Sequence, residues 1–161
     1  MTQFFTKGDA MSFRFGKDTR TKDIVAVVPT RRRNGVVEVM FIVERWDRPG
    51  YLPTVILGKR MLLGRTWDDA VPTVFEQQYG LKHVRHVLLS EWPGDSELGF
   101  PVVRAYLGLD WVKNDCVEDW RVIWTLAKAA DVMRRGAIRE SLSRRIVKSL
   151  VRCAGRGRLP L

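Results

Sequence analysis

The sequence predicts an α/β (α+β) domain that ends in a basic helix, and three observations carry that expectation. Apolar β-type runs flank turn signals early in the chain, DIVAVVP (23–29) and VVEVMFIVE (36–44) around Asn34-Gly35. A capped helix is written between Thr66 and Gly80. Two further helical patterns, 126–135 and 137–153, follow a second group of strand-like runs.

Bulk properties bound the answer. A chain of 161 residues predicts one domain able to bury a substantial core, and 45% hydrophobic residues with six tryptophans argue against disorder. No apolar run reaches about 18 residues, so no membrane span is expected. The two cysteines, Cys116 and Cys153, have neither zinc-ligand spacing nor a disulfide framework, which suits a reducing, intracellular setting. A net charge of +10 makes polyanions, chiefly nucleic acid, the natural partners, with an anionic membrane surface second and simple solubility a third explanation.

In chain order, residues 1–22 have no clear period and mix Phe with basic residues. They read as an extension that docks on a partner or as a mitochondrial targeting segment, with Asp9 and Asp18 counting against the latter. Strands at 23–29 and 36–44 then form a hairpin whose tip carries Arg31, Arg32 and Arg33. These three fit phosphate contact and equally fit solvated turn charges. RWDRPGYLPTVI (45–56) holds Trp46 and Tyr51 among turn residues before a short strand. Gly58 to Gly64 reads as a loop. Thr66 caps the helix, Asp68 and Asp69 sit in its positive first turn, and Ala70, Val71, Val74 and Phe75 give it an apolar side. Pro72, lacking an N–H, should kink that helix or delay its start.

HVRHVLLSEW (83–92) is strand-like, and its His83 and His86 lack HxxxH spacing and are weak metal-ligand candidates. PGDSELG (93–99) is a loop with Asp95 and Glu97. Strands at 100–111 and 120–124 follow; Thr125 caps a helix over 126–135 that Gly136 stops. In the last helix Ile138, Leu142, Ile146 and Leu150 form an apolar stripe that must pack on something, while Arg139, Arg144, Arg145, Lys148 and Arg152 occupy the other sides. From Arg134 to Arg158 there are nine basic residues and one acid, Glu140. Such a surface suits salt-sensitive, sequence-tolerant contact with phosphates, a membrane-surface helix or a merely solvated face.

Loop, helix and terminal Gly80-Leu81 together resemble a Nudix box, a glycine, five residues, Glu, seven residues, then Arg-Glu-apolar-x-Glu-Glu-x-Gly-apolar. Lys59 stands at the opening glycine, with Gly58 just before it, and Arg65 at the first glutamate. Thr73 and Val74 replace Arg-Glu, Phe75 fits the apolar position, and Gln77 and Gln78 replace the closing glutamates. The resemblance implies an α/β/α sandwich with a mixed sheet over residues 23–136, followed by the basic helix and tail of 137–161.

Positions 74, 77 and 78 share a helical side, and three carboxylates there would make an oxygen-rich Mg²⁺ site beside a diphosphate. Val, Gln and Gln do not. The expectation is a catalytically degenerate pseudoenzyme without cofactor or metal. RNA or a ribonucleoprotein would be bound through Arg31 to Arg33, Arg134, Arg135, Arg139, Arg144, Arg145, Lys148 and Arg152. The glutamate-poor box and Arg-rich end are similar in outline to Nudix-fold ribosomal proteins of the mitochondrial large subunit, which implies a mitochondrial ribonucleoprotein. Two alternatives stand beside this. One is an active Nudix hydrolase of a nucleoside diphosphate-linked compound that uses Mg²⁺ with Glu76, Asp95 or Glu97. The other is a module binding acidic protein or lipid.

Overall fold

The computed structural model describes residues 22–45, 52–95, 97–112 and 120–161. Expectations for residues 1–21, Trp46, Tyr51 and Cys116 fall outside them. The described strands are β1 (Ile24–Arg33), β2 (Val36–Arg45), β3 (Thr54–Ile56), β4 (Gly58–Met61), β5 (Arg85–Trp92), β6 (Val103–Leu109) and β7 (Arg121–Thr125). The helices are α1 (Trp67–Tyr79), α2 (Leu126–Arg134) and α3 (Ser141–Gly155).

The sheet runs β3-β2-β1-β6-β5, with β4 paired to β1 and β7 paired to β2. β1 organises it because its two halves have different antiparallel neighbours. Ile24–Val27 pair with β4, while Thr30–Arg33 pair with β2. On its other edge β1 runs parallel to β6, from Ile24 opposite Val103 to Pro29 opposite Gly108. The hairpin turn at Asn34-Gly35 has φ of 52° and 76°, the left-handed conformations that a two-residue connection requires.

Strand alternation divides the apolar side chains between two layers. Val25, Val27, Met40 and Tyr106 face α1 and pack with its Val71, Val74 and Phe75. Ala26, Val28, Phe41, Leu107 and Leu109 face the opposite way and are covered by α2 and α3, through Val132, Ile146 and Leu150 among others. The result is an α/β/α sandwich around a mixed sheet. Ile138, just before α3, and Ile146 and Leu150 on it thus contribute to the same core as the sheet, which accounts for the apolar stripe. At Gly108 a Cβ would lie 2.2 Å from the Phe75 ring, so this glycine lets α1 seat that ring on β6.

Three local expectations are corrected. Gly58–Met61 is strand β4, not loop, because it fills the edge of β1 beyond the reach of β2. Pro72 does not delay α1, which starts at Trp67 with Thr66 Oγ1 accepting from the Asp69 N–H at 3.2 Å; burial of Ala70, Val71, Val74 and Phe75 outweighs the missing N–H. The last helix starts at Ser141 rather than 137. Residues 137–140 stay outside the helix, where the Ala137 carbonyl accepts from Val55 N–H (2.9 Å), beside β3.

Tyr79 locks α1 to the sheet. It is fully buried, and its hydroxyl accepts from the Gly58 N–H at 2.6 Å while donating to the Val27 carbonyl. Burial drives its pKa well above the usual phenol range. Tyr79→Phe would leave both backbone groups buried and unpaired, so we expect a loss of about 1–3 kcal/mol in unfolding free energy by urea titration; an unchanged midpoint would contradict this role.

Candidate functional site

The site begins with β4 and the turn that feeds α1. The Leu62 N–H donates to the Asp23 carbonyl at 2.7 Å, and the Arg65 N–H donates to the Leu62 carbonyl at 3.1 Å. Leu63 and Gly64 take positive φ, which swings Arg65 to the mouth of the helix. Gly80, also left-handed, ends α1 with its N–H on the Glu76 carbonyl.

On α1 the box-like positions fall into two environments. Val74 is fully buried against the sheet. Gln77 is exposed and its Oε1 accepts from Arg60 Nη1 at 3.0 Å. Thr73 Oγ1 accepts from Arg65 Nη1 at 3.0 Å. Gln78 is half-buried, and Glu76 is exposed, its charge favouring protonation of His83. A hard dication needs anionic oxygen ligands. This face offers a Val side chain, two amides and two guanidinium groups, so the residues present do not fit Mg²⁺.

Lys59, at the opening-glycine position, is 3% exposed. Its Nζ donates to the Leu57 carbonyl at 2.7 Å and to Ser143 Oγ at 3.4 Å, and pairs with the Glu140 carboxylate. Ser143 in turn donates to Glu140 Oε1 (2.6 Å) and accepts from the Leu57 N–H (3.0 Å). Burial holds the Lys59 pKa below the ordinary value, against the opposing pull of Glu140 and Glu44. This network ties β4 to the start of α3.

The acids weighed for a hydrolytic role lie on separate elements. Glu76 is on α1, whereas Asp95 and Glu97 lie in the β5–β6 connection. Asp95 Oδ1 accepts from the N–H groups of Glu97 (3.0 Å) and Leu98 (3.2 Å), so it shapes its own turn. Among the described residues no three His, Cys, Asp or Glu side chains are grouped to hold a metal. A chain that sequence reasoning missed joins Asp68, His86 and His83. His86 Nε2 lies 2.9 Å from Asp68 Oδ1, and its Nδ1 lies 2.9 Å from His83 Nε2. Burial first, then neighbouring His86, lowers the His83 pKa, with Glu76 acting in the opposite sense. The pair joins α1 to β5; its i, i+3 spacing in the sequence was the available signal.

The basic residues are also sorted by the fold. Arg31 pairs with Glu38 at 2.9 Å and stacks on Trp111, and Arg134 and Arg135 both reach Asp131 at 3.3 Å. Arg32 and Arg33 are exposed at the hairpin tip. Arg144 is half-buried, with a 3.5 Å contact to the Ile138 carbonyl, and Arg145 lies over Trp92. Arg139, Lys148 and Arg152 are exposed without an acidic partner among the described residues. Arg31, Arg32 and Arg85 line a cleft of about 190 Å³ together with Asp110, Pro160 and Leu161. The C-terminal tail therefore meets the hairpin arginines, a juxtaposition of distant stretches that local sequence patterns do not show.

With this geometry in hand, the architecture defines an α/β/α sandwich on a mixed sheet. It is similar to the crystal structure of an ADP compounds hydrolase, with a TM-score of 0.61 at 14% identity over 85% of this chain and 75% of that one. The NUDIX domain of Shewanella oneidensis NrtR, cocrystallised with ADP ribose, gives a TM-score of 0.47 at 14% identity over 79% of this chain and 88% of that one. No protein-family model and no curated protein matches the sequence. The fold is Nudix-like, and identity at this level speaks for the fold alone.

Removing the anion from the Lys59 network is expected to be costlier than removing the cation. Glu140→Gln removes the carboxylate paired with a buried ammonium and should lower stability by about 3 kcal/mol, whereas Lys59→Met should cost less. Urea titrations of both variants check this, and the reverse order would contradict the assignment.

Proposed function

We propose that this Nudix-fold domain binds RNA, as a component of a ribonucleoprotein, rather than turning over a nucleotide. The observation that carries the reading is the outer side of α3, where Lys148 and Arg152 stand exposed, with Arg139 exposed just before the helix, all without acidic partners among the described residues while the helix's other side is locked into the core. A rigid, uncompensated cationic row suits the phosphate backbone and is indifferent to sequence. Arg32 and Arg33 at the hairpin extend the positive surface. A mitochondrial-ribosome setting remains part of this proposal and rests on the outline of the sequence alone.

For single-stranded RNA, affinity should fall with salt with a log–log slope of about −0.7 per phosphate contact. The double variant Lys148→Glu, Arg152→Glu should bind on the order of tenfold more weakly and show a shallower slope. Fluorescence anisotropy across a salt series reads both effects, and a flat response in the native chain would remove this reading.

The fold likeness favours a second reading more than it favours the first. The neighbour described as an ADP compounds hydrolase supports hydrolysis of a nucleoside diphosphate-linked compound through a non-standard site. Glu76, exposed on α1 within the charge field of His83, is the candidate acid or base for that reaction. A Mg²⁺ and Mn²⁺ hydrolysis screen over ADP-ribose, dinucleotides and capped RNA tests this reading. Turnover well above background that Glu76→Gln abolishes would establish the enzyme; we expect none.

A further inference from the structure

We propose that the cleft between the hairpin arginines and the C-terminal tail is a binding site for a phosphate monoester, carried on the end of a nucleic-acid strand or on a small free molecule. Arg31, Arg32 and Arg85 line it together with Asp110, Pro160 and Leu161. Both hairpin arginines lie in the closing part of β1, and Leu109, also in the lining, closes β6, the strand parallel to it. The cleft thus lies outside the carboxyl ends of the parallel pair, where open sheets of this kind leave a crevice for ligands. Leu109 and Leu161 belong to the core on the α2 and α3 side, so the sheet separates this cleft from the outer positions of α1.

Two of the three cations are built into the fold. Arg31 is fixed from two directions, its Nε donating to Glu38 at 2.9 Å and its guanidinium lying 4.5 Å from the Trp111 ring centre. That ring is buried, and its Nε1 donates to the Thr30 carbonyl at 3.2 Å. Arg85 is held through its Nε by Asp110, which takes a φ of 61° where β6 ends. A grip through Nε leaves the terminal nitrogens of both guanidinium groups as donors, the fork that meets phosphate oxygens. Arg32 makes one long contact, 3.4 Å to the Gly35 carbonyl, and keeps its other donors.

Charge and size select the ligand. Among the described residues the lining sets three guanidinium groups against one carboxylate, and Glu38 offsets part of the Arg31 charge from behind. A phosphate monoester carries about −1.5 to −2 at pH 7 on three acceptor oxygens. A diester carries a single negative charge, so the monoester is the better match. At about 190 Å³ the cleft is smaller than the roughly 300–1,000 Å³ of ordinary cofactor pockets, which suits a phosphate with a small attachment rather than a whole nucleotide. Arg156 and Arg158 are exposed on the tail that joins α3 to the cleft, and they favour a strand end as the source, since they continue the positive surface away from the terminal phosphate.

The site does not rest on the RNA reading; only the strand-end source does, and the experiment separates the two. Fluorescence anisotropy of the full chain, with a short oligoribonucleotide labelled at its opposite end, should show about tenfold tighter binding when the strand ends in a monophosphate than when it ends in a hydroxyl. Methyl phosphate should compete away that advantage, and dimethyl phosphate should not. Arg85→Gln, at a side chain 53% exposed, should erase the advantage, and a thermal melt checks that this variant is folded. Lys148→Glu should weaken both strands and keep their ratio. Equal affinity for the two strands with no methyl phosphate binding by isothermal titration would overturn the proposal, as would an advantage that survives Arg85→Gln. Equal affinity with methyl phosphate binding that Arg85→Gln abolishes would keep the site and make a small phosphate its ligand. Methyl phosphate binding with neither strand bound would support the site and sink the RNA reading alone.

Discussion

An ammonium group sealed beneath the C-terminal segment is the constraint on which the rest of this structure depends. Lys59 sits in β4, immediately before the turn into α1, with Glu140 and Ser143 of the C-terminal segment closed over it. A charge at that depth is tolerable only if an anion and hydrogen-bond acceptors accompany it. The partners come from a stretch 81 to 84 residues later in the chain, so α3 cannot be an appendage. Its apolar stripe completes one layer of the core, and its opposite side is thereby fixed outward with its basic residues in a row. Cationic surface and buried ion pair are two consequences of one docking.

The same turn accounts for the character of α1. Tyr79 and Phe75 hold the helix against the sheet through a phenol bridging two strands and a ring seated over Gly108. Val74 belongs to that buried layer, which leaves Thr73 and Gln77 as the outward positions, each already engaged with an arginine. Oxygen ligands for a hard cation are scarce here, and positive charge is plentiful. The fold resembles that of a hydrolase, whereas the exposed side of α1 carries arginines, an amide and a hydroxyl rather than grouped acids. Fold and chemistry point different ways because a scaffold is maintained by its core, and reactivity by a few side chains outside it.

Much of the architecture was legible locally. Thr66 and Thr125 as caps, Gly80 as a stop and Asn34-Gly35 as a hairpin are signals decided within four or five residues, and the structure places each where expected. Strand β4 was missed because GKRM has no apolar alternation of its own; the edge of β1 makes it a strand. The parallel β1–β6 pairing brings together residues nearly eighty positions apart, and nothing local announces it. In the site, the spacing of 73, 74, 77 and 78 could be read, but Lys59 with Glu140 and His86 with Asp68 could not, since each partner lies on another element. Sequence patterns reveal which face of an element is apolar, and only the fold reveals what covers it.

The central claim is that the outer side of α1 presents fixed cations rather than acids able to hold a metal. Its most direct test is anomalous diffraction at the manganese edge from crystals soaked in Mn²⁺ with a non-hydrolysable nucleoside diphosphate analogue. The account predicts no anomalous peak beside Thr73, Gln77 and Gln78. A manganese ion seated on that side of α1 and bridging it to the diphosphate would contradict it.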